Sequence, residues 1–301
     1  MTARGPIRVG TCSWTDRTMA SAWYPDHVTS AEDRLRYYSS FFNTVEVDST
    51  FYGLPSERTA ALWATRTPPG FTFHVKAFAM MTRHAARPEQ LAPDMRTLDE
   101  YHLDRNGRIV HPSAAFRELV FRRFRRALDP LRSAHKLGVI LLQFPPYLTA
   151  GTQSRNYIAQ AVDWLRPDHA AVEFRHSSWL AEGEAPRTMQ WLRELGASYV
   201  SVDEPRLQGH TVLPPVAVST HAEISYVRLH GRNQATWNTR VASAAERFLY
   251  LYTEEELKEW IPKVKALSAA SRETFVMFNN CYADYAPRNA RQLMSLLDQT
   301  E

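Results

Sequence analysis

Eight short runs of β-branched and aromatic residues recur along the chain, at Ile7 to Ser13, Thr44 to Thr50, Phe71 to Lys76, Gly138 to Phe144, Ala170 to Arg175, Ser198 to Asp203, Ser225 to His230 and Thr274 to Asn279. Between them lie stretches with helix-like patterning, at 29–42, 57–66, 113–136, 152–165, 186–195, 253–270 and 287–299. Alternation of this kind predicts an α/β protein with a parallel sheet and crossover helices. Eight units predict closure into a (β/α)8 TIM-type barrel, here a single domain over residues 1–301. The weak link falls between the sixth and seventh runs, where Pro205, Pro214 and Pro215 break the pattern and no clear helix is visible. A long connection separates the third and fourth runs. Its first part, 82–112, carries Pro88, Pro93 and Asn106-Gly107 and reads as an excursion.

Within the runs, apolar and polar positions alternate, so each strand has one face of each kind. Val45 and Val47 oppose Glu46 and Asp48; Phe73 and Val75 oppose His74 and Lys76; Val172 and Phe174 oppose Glu173 and Arg175. Val202 opposes Ser201 and Asp203, while Val227 and Leu229 oppose Arg228 and His230. With the apolar faces against the outer helices, the polar faces point into the barrel. The expected inward set is Glu46, Asp48, Lys76, Gln143, Glu173, Arg175, Asp203, Arg228 and His230, with Asn279 and Asn280 nearby. The charges lie toward the C-terminal strand ends, where enzymes of this fold carry their active sites. Charges so placed are costly to bury unpaired, so a hydrogen-bonded network is expected, serving as a polar plug or as a ligand site.

Composition sharpens the picture in three places. Two cysteines, Cys12 and Cys281, exclude a disulfide framework and a cysteine-rich zinc site. The start, MTARGPIRVG, lacks the apolar core of a secretion signal, and no run of about 18 apolar residues occurs. A cytoplasmic location without membrane contact is therefore expected. The formal net charge is +4 and only five lysines occur, which singles out Lys76 inside a strand. In AAFRELVFRRFRRALDPL, arginines surround an apolar face of Phe116, Val120, Phe124 and Leu128. That helix is either an ordinary solvated surface or a patch for a phosphate backbone.

The segments VGTCSW, FFNTVEVDSTFYGLPS, WATRTPPGFTFHVKAF, LLQFPP, AVEFRHSSW, YVRLHG and FNNCYADYAPRNA together resemble the YecE-like proteins, family 72 among domains of unknown function. They run in the family's order over nearly the whole chain. The resemblance implies a barrel and says little about activity.

Three functional readings follow from the inward set. In the first, Lys76, Arg175 and Arg228 hold an anionic, phosphate-bearing ligand, a small molecule or nucleic acid. Glu46 and Glu173 then transfer protons, beside Lys76 as a third catalytic candidate. Asp48 and Asp203 orient the cations, and Gln143, His230, Asn279 and Asn280 complete the hydrogen bonding. Trp14, Tyr52 and Trp237 offer stacking faces. Ser13 counts as a ligand contact rather than a nucleophile, because GTCSW lacks the flanking glycines of a nucleophile elbow. In the second reading, Glu46 and Glu173 form the carboxylate pair of a carbohydrate-active hydrolase. In the third, the same mouth binds without catalysis. No G-x-G-x-x-G or P-loop occurs, and no short motif with metal-ligand spacing joins His74, His176 and His230, so neither cofactor nor metal is expected.

Overall fold

The computed structural model describes residues 5–207, 209–239 and 244–299, so both ends of the expected 1–301 domain lie outside the described residues. Eight parallel strands form one sheet: β1 (Ile7–Thr11), β2 (Thr44–Val47), β3 (Thr72–Lys76), β4 (Leu137–Gln143), β5 (Ala170–Glu173), β6 (Ser198–Asp203), β7 (Ile224–Leu229) and β8 (Glu273–Phe278). Their spatial order is β1-β8-β7-β6-β5-β4-β3-β2. A parallel bridge between Cys12 and Glu46 brings the β1 and β2 edges together, so the sheet curls into a nearly closed barrel. Gly10 permits that approach, because a Cβ there would lie 2.4 Å from the Thr44 carbonyl oxygen.

The outer layer contains α1 (Ala31–Ser39), α2 (Glu57–Thr65), α3 (Ala114–Ala127), α4 (Thr152–Leu165), α5 (Glu184–Leu195), α6 (Ile261–Ala270) and α7 (Tyr285–Asp298). Ser30, Ser56 and Ser113 cap the first three by accepting from the backbone N–H groups of Asp33, Thr59 and Phe116. Each cap satisfies a donor that a helix start leaves free. On α3, Phe116, Val120, Phe121 and Phe124 are buried, as their helical spacing dictates. The opposite, arginine-rich side is compensated by carboxylates. Arg125 pairs with Asp168, which also takes Arg132 from the short helix Asp129–Ser133, while Arg126 pairs with Glu57 and Arg123 with Asp94.

Two sequence expectations change in detail. The second strand ends at Val47, and Ser49–Phe51 turns as a 3-10 helix that lifts Tyr52 to the surface. The excursion contains a small antiparallel hairpin, His102–Leu103 with Ile109–Val110, among short 3-10 turns. Between β6 and β7 the described residues form no helix. Among the described residues no helix is long and apolar enough to cross a membrane.

Candidate functional site

Register decides which side chains enter the barrel. In a parallel sheet, residues paired across neighbouring strands share a face. Glu173 on β5 pairs with Gln143 on β4, and Val202 on β6 pairs with Arg228 on β7. The interior therefore receives Gln143, Glu173, Val202 and Arg228. It does not receive Asp203, contrary to the expectation from alternation. Asp203 faces outward, where both its oxygens take the Arg232 guanidinium at 2.8 and 3.1 Å. Arg232 in turn reaches Glu256 and Glu259 on the outer layer. The β6 segment was ambiguous because SVDE is polar in both phases. Its inward acid is Glu204, which the sequence pattern left unassigned.

At the centre, Arg228 is 1% exposed and holds two carboxylates at once. Its Nε and Nη2 donate to Glu46 at 3.0 and 2.8 Å, and its Nη1 donates to Glu173 at 2.6 Å. The Tyr226 hydroxyl donates at 2.9 Å to Glu46 Oε2, the oxygen that also accepts from Arg228 Nε. Gln143 Nε2 donates to Glu173 at 2.7 Å. His230 Nε2 lies 3.1 Å from the same carboxylate, and its Nδ1 lies 2.8 Å from the Asn279 amide. Burial pushes the imidazole pKa down to about 3, so the ring is neutral, with Nε2–H donating to Glu173 and Nδ1 accepting from Asn279. Burial also works against ionisation of Glu173, yet Arg228, His230 and Arg175 outweigh it and hold the carboxyl well below its ordinary range.

Below this cluster sits His74, also neutral, its pKa lowered to about 3 by burial. Its Nδ1 accepts the Val139 N–H at 3.1 Å, where the β3–β4 register shifts. Gly138 makes room, since a Cβ there would meet the ring at 2.5 Å. His74 thus closes a gap in the sheet, with Tyr226 and Phe275 edge-on against it.

These contacts revise several roles. Glu46 and Glu173 are fully buried and share one arginine, so the structure does not present them as proton-transfer groups or as a spaced carboxylate pair. Arg228, satisfied by both, is not open to an anion. Trp14 packs edge-on against Trp63 and Phe73 in the core and offers no stacking face. Ser13, at φ +117°, spends its hydroxyl on the Thr15 N–H and shapes the turn after β1. Asn280 faces away from the barrel interior and donates to Asn289 on α7 and to the Tyr250 carbonyl.

The remaining candidates lie at the mouth. Arg175 bridges Glu173 and Glu204 at 3.4 and 3.1 Å, and its guanidinium carbon lies 4.8 Å over the Trp237 ring. Burial raises the Glu204 pKa to about 7, although Arg175 and the Leu213 N–H pull it down. A cleft of about 520 Å³ opens beside them, lined by His84, Gln143, Phe144, Arg175, Trp237, Arg247 and Phe248 among others. Among the described residues lining it there is no carboxylate. Arg247 was missed by sequence reading because it ends a single-turn helix, Ala244–Arg247, too short to show a periodic signal.

Lys76 lies beside this cleft, at the end of β3. Its Nζ sits 4.5 Å over the Phe51 ring, and Phe51 contacts His84 edge-on at 5.0 Å. Among the described residues it has no ion-pair partner within 4.0 Å. Burial and then Arg228 lower its pKa, against Glu46, Glu173 and Asp48. Asp48, at the end of β2, has its pKa raised to about 6 by burial despite Lys76. Tyr52 is 61% exposed at the rim.

The fold and this mouth define a (β/α)8 barrel with a buried ionic core beneath an arginine-lined cleft. Residues 8–301 match the family described as "Protein of unknown function DUF72", and the chain belongs to that family. It is 29% identical to the UPF0759 protein YunF of Bacillus subtilis (strain 168), over 97% of this chain and 95% of that protein. It is similar to the crystal structure of a DUF72 family protein from Thermotoga maritima MSB8, at 31% identity and a TM-score of 0.76, covering 97% and 99% of the two chains. A DUF72 family protein from Enterococcus faecalis V583 shares the fold, with 24% identity, a TM-score of 0.78 and coverage of 97% and 96%.

Proposed function

We propose that the barrel mouth binds a small anionic ligand bearing a phosphate group beside a planar one. The observation that carries this reading is the cleft lining: two arginines, Arg175 and Arg247, a histidine, and no carboxylate among the described residues. Arginine suits phosphate because its planar fork donates two parallel hydrogen bonds. Trp237 and Phe248 supply aromatic surface beside them. The volume suits a metabolite-sized ligand. The carboxylates paired with arginines on α3 leave a phosphate-backbone footprint there without comparable support.

Isothermal titration with phenyl phosphate tests the reading. The wild-type protein is expected to bind, and Arg247→Ala to bind roughly 10- to 100-fold more weakly, the loss of a charge-assisted hydrogen bond. Unchanged affinity in Arg247→Ala, or no binding by the wild type at millimolar ligand, overturns it.

A further inference from the structure

Lys76 stands apart from the other cations of the barrel. Arg228 is held by two carboxylates, and Arg175 by Glu173 and Glu204. Lys136, the other lysine at a strand, is buried and donates to the Thr67 and Ala64 carbonyls. Of these four cations, Lys76 alone lacks a carboxylate or carbonyl acceptor among the described residues. It is partly exposed, and its ammonium rests against the Phe51 ring. His84, a wall of the cleft, feels the charges of both Lys76 and Arg175, so the amine and the anion-binding arginine act on one space.

A lysine placed only to hold an anion gains from a strong positive charge. This position does the opposite. Burial and the neighbouring Arg228 favour the neutral amine, the form with a free lone pair. On the adjacent strand, Asp48 retains its proton to higher pH than an ordinary aspartate. The amine therefore gives up its proton more readily than a free lysine, and Asp48 can take up and release a proton near neutral pH, as carbonyl condensation requires.

We infer that Lys76 is a nucleophilic amine that condenses with an aldehyde or ketone carbon of the anionic ligand. The inference rests on the anion-binding reading of the cleft and names its substrate class. The amine nitrogen attacks the carbonyl carbon, forming a C–N bond as the C=O π pair moves to oxygen. Nitrogen loses a proton and the oxygen gains one, giving a carbinolamine. Asp48 then donates a proton to the hydroxyl, which leaves as water while the nitrogen lone pair forms the C=N bond. The products are a protonated imine, one water and the Asp48 carboxylate, with no oxidant or reductant consumed. Phosphate contacts with Arg175 and Arg247 hold the carbonyl compound during these steps.

The experiment is borohydride trapping with glycolaldehyde phosphate on the full-length protein, followed by peptide mass mapping. The scarcity of lysine makes the map simple. The expected result is one reduced adduct on Lys76, formed at least tenfold faster than on Lys258, Lys263 or Lys265 and suppressed by excess phenyl phosphate. Lys76→Arg, which keeps the charge and chain length, is expected to lose the adduct while still binding phenyl phosphate. Thermal unfolding of that variant verifies that it folds. No adduct on Lys76, labelling no faster than on the other lysines, or an adduct indifferent to phenyl phosphate overturns the inference. Phenyl phosphate binding that persists without any adduct leaves the cleft reading standing and removes the lysine chemistry alone. Loss of phenyl phosphate binding by the wild type removes the cleft reading itself.

Discussion

Two neighbouring groups of charged residues occupy this barrel, and they differ in whether the charges border an open space. In the core group, Arg228 neutralises Glu46 and Glu173, with Tyr226, Gln143, His230 and Asn279 using up further hydrogen-bonding capacity. In the mouth group, Arg175 and Arg247 line an open cleft, and Lys76 has no carboxylate within ion-pairing distance among the described residues. The same residue types thus act as framework in one place and as a ligand site in the other. Access to the cleft distinguishes them, since Arg175 is paired with two carboxylates as Arg228 is and yet lines the open space, and access is a three-dimensional property.

The comparison predicts its largest effect in the core. Arg228→Leu strands two buried carboxylates, and is expected to cost about 3–5 kcal/mol in urea unfolding. A loss below about 1 kcal/mol would show that the two carboxylates do not depend on this arginine. Arg247→Ala at the mouth removes hydrogen bonds to the Trp237 and Thr239 carbonyls, and is expected to cost only about 1 kcal/mol while losing phosphate affinity.

Next in size is a pH effect at Glu204, which lies between the two groups. A carboxyl whose pKa rises from 4.5 to about 7 on folding is protonated more readily in the folded state. Its contribution to stability is therefore full below pH 4.5 and is lost as pH climbs through 7. Glu204→Gln removes that dependence. Relative to wild type, the variant should gain on the order of 3 kcal/mol between pH 4.5 and 8.5. Urea titrations at both pH values measure this, and a difference independent of pH contradicts the assignment. The histidines work in the opposite direction. His74 and His230 stay neutral in the fold down to about pH 3, so their contribution is present above 6.5 and falls away as pH drops toward 3.

The smallest effect belongs to the arginine side of α3. Arg126 and Glu57 are both well exposed, and Arg126→Ala is expected to shift stability by less than about 0.5 kcal/mol. Phenyl phosphate affinity should not change. Binding lost on this substitution would shift attention from the mouth to the helix.

The barrel was legible because its strands alternate cleanly, as TVEVD and FHVKA do, and a period of two needs no tertiary information. The inward placement of Glu46, Glu173 and Arg228 followed from it. Alternation failed at SVDE, where Asp203 and Glu204 are both acidic and only pairing with β7 selects the inward one. Roles were less legible than positions. Whether Arg228 is free or spent depends on two carboxylates from strands β2 and β5, brought together by closure. Trp14 looks like a stacking face in sequence and is core because Trp63 and Phe73 reach it. Arg247 lies where no periodicity exists to be read.

A crystal structure of the protein soaked with phenyl phosphate would show which of the two charged groups takes the anion. The phosphate is expected against Arg175 and Arg247 with the ring beside Trp237, and the Glu46–Arg228–Glu173 bridge intact beneath it. Phosphate seated on Arg228 with that bridge broken, or on the α3 arginines with the cleft empty, would contradict that placement.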